Sequence, residues 1–160
     1  MLKKHWILFI ASFVLLSFVK AQNKKADSIQ IVKTFKAIFN ICFDVDLNGA
    51  HTKDSGIFHA TAPYIIYRGT DKKRAWKVFA DYSKTEDKNV VEEMGGRFKK
   101  SIAYDCNQRF IKYFTEKESE GVWHVLVVEY ECKSGAKRVA YAFLKIGNRF
   151  GLGDIDTNYK

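Results

Sequence analysis

The chain has 160 residues, with 27 Lys and Arg against 18 Asp and Glu, a formal net charge of +9. That length sets one domain as the expectation, and 47% hydrophobic with 15% aromatic residues excludes a chain too polar to bury a core. A basic surface favours anionic partners, but the positives are scattered with no nucleic-acid module around them, which points away from nucleic acid and toward solvated faces; a small molecule or an anionic envelope component is the expected partner.

Residues 1–21 come first and read as a signal peptide. Lys3, Lys4 and His5 give a basic start, Trp6 to Val19 an uncharged apolar run, and Val19-Lys20-Ala21 a cleavage pattern ahead of Gln22. The apolar run is shorter than the roughly 20 residues a membrane-crossing helix needs. Cleavage would leave one domain over 22–160, exported to the periplasm or the extracellular space and without a stable membrane span. An uncleaved anchor is the alternative.

After the leader, Asp27 and Ser28 can start a helix. Val32, Phe35, Phe39 and Cys42 recur at helical spacing, widened by Ile31 and Ile38, which predicts an amphipathic helix over 27–43. Residues 44–55 are polar and turn-rich, and Gly56 to Ala62 carries no clear period. Pro63 then opens Tyr64 to Arg68, a short predicted strand. Thr70 or Asp71 can cap a second helix to about Ser83, with Ala75, Trp76, Phe79 and Tyr82 on one face. Thr85 to Lys88 reads as a loop. Val90, Val91 and Met94 suit a helix that Gly95-Gly96 would interrupt.

From Gln108 the period changes to that of strands. Arg109 to Thr115, Val122 to Cys132, Arg138 to Ile146 and Arg149 to Ile155 are separated by turns at 116–121, 133–136 and Gly147-Asn148, the pattern of an antiparallel meander. Val122 to Cys132 is apolar on both faces, as in a strand covered on both sides.

This order of elements, ending in Phe143-Leu144-Lys145-Ile146-Gly147-Asn148-Arg149-Phe150-Gly151-Leu152-Gly153-Asp154-Ile155-Asp156, resembles the NTF2-like superfamily over most of residues 27–156. The resemblance implies an α+β fold, with amino-terminal helices packed on a strongly curved antiparallel sheet that forms a cone. That superfamily holds enzymes, binding domains and assembly modules, so the fold alone selects no function.

Four constellations carry chemistry. Asp44-Val45-Asp46-Leu47-Asn48-Gly49 matches the opening of a calcium loop, with Asp44, Asp46 and Asn48 as oxygen donors. Ser55 stands where the bidentate Glu belongs, so an Asx-rich turn is preferred and no metal is expected. A hairpin centred on Ser119 pairs residues whose numbers sum to about 238, which sets Cys106 opposite Cys132 and Arg109 opposite Glu129. A Cys106–Cys132 disulfide would then staple the meander and leave Cys42 on its helix; three reduced, buried cysteines are the alternative.

Third, His124 with Asp154 or Asp156 can form an acid–base pair if both face one cavity; a structural histidine is the plainer alternative. Fourth, Tyr67, Arg68, Trp76, Tyr130 and Tyr141 are candidates to line a ligand pocket at the open end of the cone, Arg68 meeting an anionic group. The same aromatics also suit a core. No nucleophile elbow, phosphate-binding glycine loop or dinucleotide fingerprint occurs, so no cofactor is expected. The reading is a basic, exported, non-catalytic binding domain. A small isomerase, dehydratase or hydrolase using His124, and a homodimeric interaction module, are the alternatives.

Overall fold

The computed structural model describes residues 23–43, 54–67, 78–119 and 121–160. The leader at 1–21 and the Asp44, Asp46, Asn48 loop lie outside the described residues. Helix α1 occupies 23–43, over the stretch whose apolar spacing predicted it. Ile31, Phe35, Ile38 and Cys42 are fully buried on it, a run of steps of three and four that turns one stripe to the core. The Phe35 ring meets Phe98 at 5.4 Å, Phe110 at 5.6 Å and Tyr141 at 4.8 Å between centroids. Burying such a side chain contributes about 1.5–3 kcal/mol.

Helix α2 (Asp54–Thr61) forms in the stretch that carried no clear period. A 3-10 turn (Ala62–Tyr64) follows, with Pro63 in its first turn, where the missing N–H leaves no bond unmade. The strand expected at Tyr64 to Arg68 shrinks to two bridges, Ile65 beside Leu152 and Ile66 beside Phe79. The same pairing corrects the helix expected to reach Ser83. Tyr67 N–H donates to Val78 O and Ala80 N–H to Ile65 O, which holds 78–80 extended. The remainder of that expected helix, 68–77, lies outside the described residues.

Helix α3 (Thr85–Ser101) runs through both the expected loop at 85–88 and the glycine pair. Glycine costs a helix interior about 1 kcal/mol against alanine. At Gly95 the missing side chain is used: a Cβ there would stand 2.9 Å from the Phe58 ring of α2, so the glycine lets the two helices close on each other. Glu86 and Asp87 in the first turn and Lys99 and Lys100 in the last complement the helix dipole.

Four strands follow: β1 (Asn107–Glu118), β2 (Gly121–Cys132), β3 (Gly135–Ile146) and β4 (Arg149–Asp156). They form an antiparallel meander in the order β1-β2-β3-β4. Gly147 adopts φ 60° in the β3–β4 turn, a left-handed conformation that suits glycine. One face of the sheet carries Leu126, Val128, Tyr130, Tyr141 and Phe143 into a single core with α1, α2 and α3. The other carries Trp123, Val125, Val127, Ala140, Ala142 and Leu144. There Ile66 packs with Trp123 and Leu144, and Tyr159 packs on the cluster of Val125, Val127 and Ala140.

The resemblance to the NTF2-like cone does not hold. The fold is α+β, with helices on one face of a small, open sheet that is neither curved nor closed. Strong curvature is built with bulges and glycine kinks across a sheet. Here the ladder shifts once near Ile111 and once near Gly153, both on edge strands. The central pair β2–β3 runs unbroken from Trp123 opposite Leu144 to Cys132 opposite Gly135.

Candidate functional site

The residues expected to line a pocket do not converge on one. Arg68 and Trp76 lie outside the described residues. Tyr67 is buried, its hydroxyl donating to the Glu86 carboxylate at 3.4 Å. Tyr130 and Tyr141 are both 0% exposed and lie within the core. Their hydroxyls meet at 2.9 Å, Tyr141 reaches Ser101 Oγ at 2.8 Å, and Ser101 donates to Phe98 O at 2.6 Å. Because the serine proton is committed to the carbonyl, the direction is fixed: Tyr130 donates to Tyr141, and Tyr141 to Ser101. Burial pushes both phenols up, Tyr141 to about 12 and Tyr130 further. The hydroxyls of Tyr130 and Tyr141 are thus satisfied inside the core rather than by a ligand or water.

The acid–base pair is separated by the sheet. His124 lies opposite Phe143 on the helix-covered face. Its Nδ1 is 2.8 Å from the Tyr113 hydroxyl and its ring stands edge-on to Phe150. Burial lowers the His124 pKa, opposed by the Asp27 carboxylate and reinforced by Lys145. Burial, then the Asp27 charge, pushes Tyr113 up to about 12. Asp154 is opposite Ala142, which turns it to the other face. There it accepts from Arg97 at 2.9 Å, while Asp156 accepts the Asn158 N–H at 2.9 Å.

The hairpin reading fares differently. Cys106 and Cys132 form a disulfide, and Arg109 lies opposite Glu129. Glu129 is only 4% exposed. Its two oxygens accept from Arg109 at 2.6 Å and Arg138 at 2.7 Å, and those bonds hold its pKa below the usual 4.5. Cys42 is buried on α1.

A site that the residue pattern did not single out lies on the sheet face turned away from the helices. It is a hollow of about 330 Å³ with Phe114, Trp123 and Tyr159 as aromatic walls and Ala140 and Ala142 below. The two alanines leave the space open. Glu116 and Glu118 from β1, and Asp154 and Asp156 from β4, ring it with carboxylates. Gly153 allows the Trp123 wall, since a Cβ there would come within 2.8 Å of the indole. One cation already sits at its edge: Lys112 Nζ lies 4.7 Å from the Phe114 ring centre and donates to the Tyr159 hydroxyl at 3.1 Å. The available signal was the step of two through Phe114, Glu116 and Glu118, which places them on one face of a strand. The sequence pattern places those glutamates in the turn at 116–121, whereas β1 runs on to Glu118.

Among the described residues, no group of three or more His, Cys, Asp or Glu is placed to hold a metal ion. Among them, too, no helix is long and apolar enough to cross a membrane. Fold and site together define a small α+β domain with a disulfide-stapled meander and an acidic, aromatic hollow on its open face. Compared with known proteins, the chain matches no family model, no curated protein and no solved structure.

Proposed function

We propose that this protein is an exported, non-catalytic binding module that takes a cationic small molecule in the hollow on its open sheet face. The observation that carries the reading is the set of carboxylates around Phe114, Trp123 and Tyr159, in a chain whose net charge is +9: Glu116, Glu118 and Asp156, with Asp154 already paired to Arg97. Carboxylates beside aromatic walls favour an ammonium or guanidinium over a neutral group of equal size. Lys112 on the Phe114 ring is the protein's own example of that preference. The opposite faces of His124 and Asp154 favour binding over acid–base chemistry by that pair. The Cys106–Cys132 bond favours an oxidising compartment.

The test is calorimetric titration of the full chain with the Nα-acetylated forms of arginine amide and citrulline amide; acetylation removes the α-ammonium, and citrulline replaces guanidinium by an uncharged group of nearly equal shape. Acetylated arginine amide should bind at least tenfold tighter, and salt should weaken it. Glu116→Gln with Asp156→Asn should abolish the difference, both residues being exposed. Lys112→Met, which vacates the rings, should tighten it. Equal binding of the two compounds would overturn the proposal, as would binding indifferent to the double variant.

A further inference from the structure

An apolar groove rimmed by lysines lies where α1 meets the edge strand β1. Among the described residues, four large apolar side chains are at least 36% exposed, and three of them meet here: Ile29 at 49%, Phe110 at 36% and Ile111 at 38%. With Val32 and Leu126 they line a groove of about 420 Å³, within the roughly 300–1,000 Å³ of small-molecule sites. The concentration of exposed apolar surface in one groove needs a reason, because scattered singles would not.

The groove is built rather than incidental. Phe110 packs edge-on against Phe35 at 5.6 Å, so one wall is an extension of the core. The ladder between β1 and β2 shifts between Phe110 and Lys112, leaving Ile111 as the extra residue. Such a bulge re-aims a side chain, and here it sets two consecutive apolar residues, Phe110 and Ile111, along the groove. Lys33 and Lys36, one turn apart on α1, stand on the rim, with Lys36 Nζ 5.9 Å from the Phe110 ring centre. No carboxylate is among the lining residues. Lys112 also borders the groove, but its ammonium is turned to Tyr159 on the far face.

We infer that this groove binds a single-chain anionic amphiphile, the alkyl chain lying between Ile29 and Ile111 and a carboxylate head meeting Lys33 and Lys36. Charge complementarity chooses the occupant: an apolar trough rimmed by lysines rejects a cationic chain and favours an anionic one over a neutral one. The inference is independent of the hollow on the other face, which has the opposite sign.

The probe is sodium dodecanoate below its aggregation concentration, titrated into the full chain and compared with dodecanol and dodecyltrimethylammonium. Dodecanoate should bind at least tenfold tighter than either. Lys33→Glu with Lys36→Glu should abolish that preference, and Ile111→Asp should weaken all three ligands; all three positions are exposed, so folding is preserved, as a melting curve checks. Binding of acetylated arginine amide should survive both sets of changes. Equal binding of the cationic surfactant would overturn the inference. So would capture by phosphatidylglycerol vesicles without binding of monomeric dodecanoate, which would make the groove a membrane contact. A dimer in sedimentation that Ile111→Asp dissociates would also overturn it, since a second copy would then be the occupant.

Discussion

Removing the Cys106–Cys132 bond should destabilise the fold while leaving every strand intact. The two cysteines are separated by 26 positions, so the bond closes a loop of that size in the unfolded chain. Loop-closure entropy for such a loop is about 12 cal/mol/K, or about 3.5 kcal/mol at 25 °C, as an upper figure. Residual hairpin structure in the unfolded chain reduces it, and about 2–3.5 kcal/mol is expected. For a domain of this size each kcal/mol moves Tm by about 3–5 °C, so the double variant Cys106→Ala/Cys132→Ala should melt about 6–17 °C lower. Scanning calorimetry with and without a phosphine reductant supplies the control. Reduction should lower the native Tm to near that of the variant and leave the variant unmoved. Urea denaturation should show a larger m-value without the bond, because the unfolded chain expands. A native Tm that reduction changes by less than 2 °C would refute the reasoning, since the bond would then not constrain the chain that unfolds.

Acid should destabilise the fold in two steps. His124 has a lowered pKa, so its contribution is full above the usual 6.5 and is lost as pH falls through its folded value; Glu129 follows the same sign below the usual 4.5. Melting curves from pH 8 to pH 4 should show both, and His124→Gln should remove only the first; a flat native profile between pH 7 and pH 5 would count against a buried neutral imidazole. Gly153→Ala should cost about 1–3 kcal/mol, because its Cβ would stand 2.8 Å from the Trp123 ring and 3.2 Å from Ile66. An unchanged urea midpoint would show that β4 does not press on the indole.

What the residue pattern revealed depended on how local the determining contact was. Helix α1 and all four strands were legible because their periods of apolar residues are set by the element itself. The disulfide was legible from a count of 238 that holds only beyond the Ile111 bulge; at the turn itself the facing residues sum to 239, as in Glu118 opposite Gly121, so the bulge and not the turn alone brings Cys106 to Cys132. Helix α3 was hidden by Gly95-Gly96, of which Gly95 serves a close contact with Phe58 of α2, a partner no local window contains. The extended stretch at 78–80 is held by hydrogen bonds to 65–67, again from a distance. The cone failed for a related reason: the order of helices and strands says nothing about how strongly a sheet bends. The tyrosine pocket failed because Tyr130 and Tyr141 satisfy one another's hydroxyls, so a polar tip did not require water.

The hollow went unseen for a more specific reason, which lies in β1. Near the disulfide, the hairpin follows the expected sum, with Arg109 opposite Glu129 and Phe110 opposite Val128. Had that register continued, Tyr113 would face Val125 and Thr115 would face Trp123. The shift at Ile111 instead sets Phe114 opposite Val125 and Glu116 opposite Trp123. A slip of one residue exchanges the two faces of a strand completely. Phe114, Glu116 and Glu118 are thereby delivered to the open face, and Tyr113 to the helix side, where it meets His124. The same extra residue adds Ile111 to the lysine-rimmed groove. One bulge on an edge strand therefore positions half of the acidic hollow and one wall of the apolar groove. This accounts for both candidate sites bordering the same strand while differing in charge.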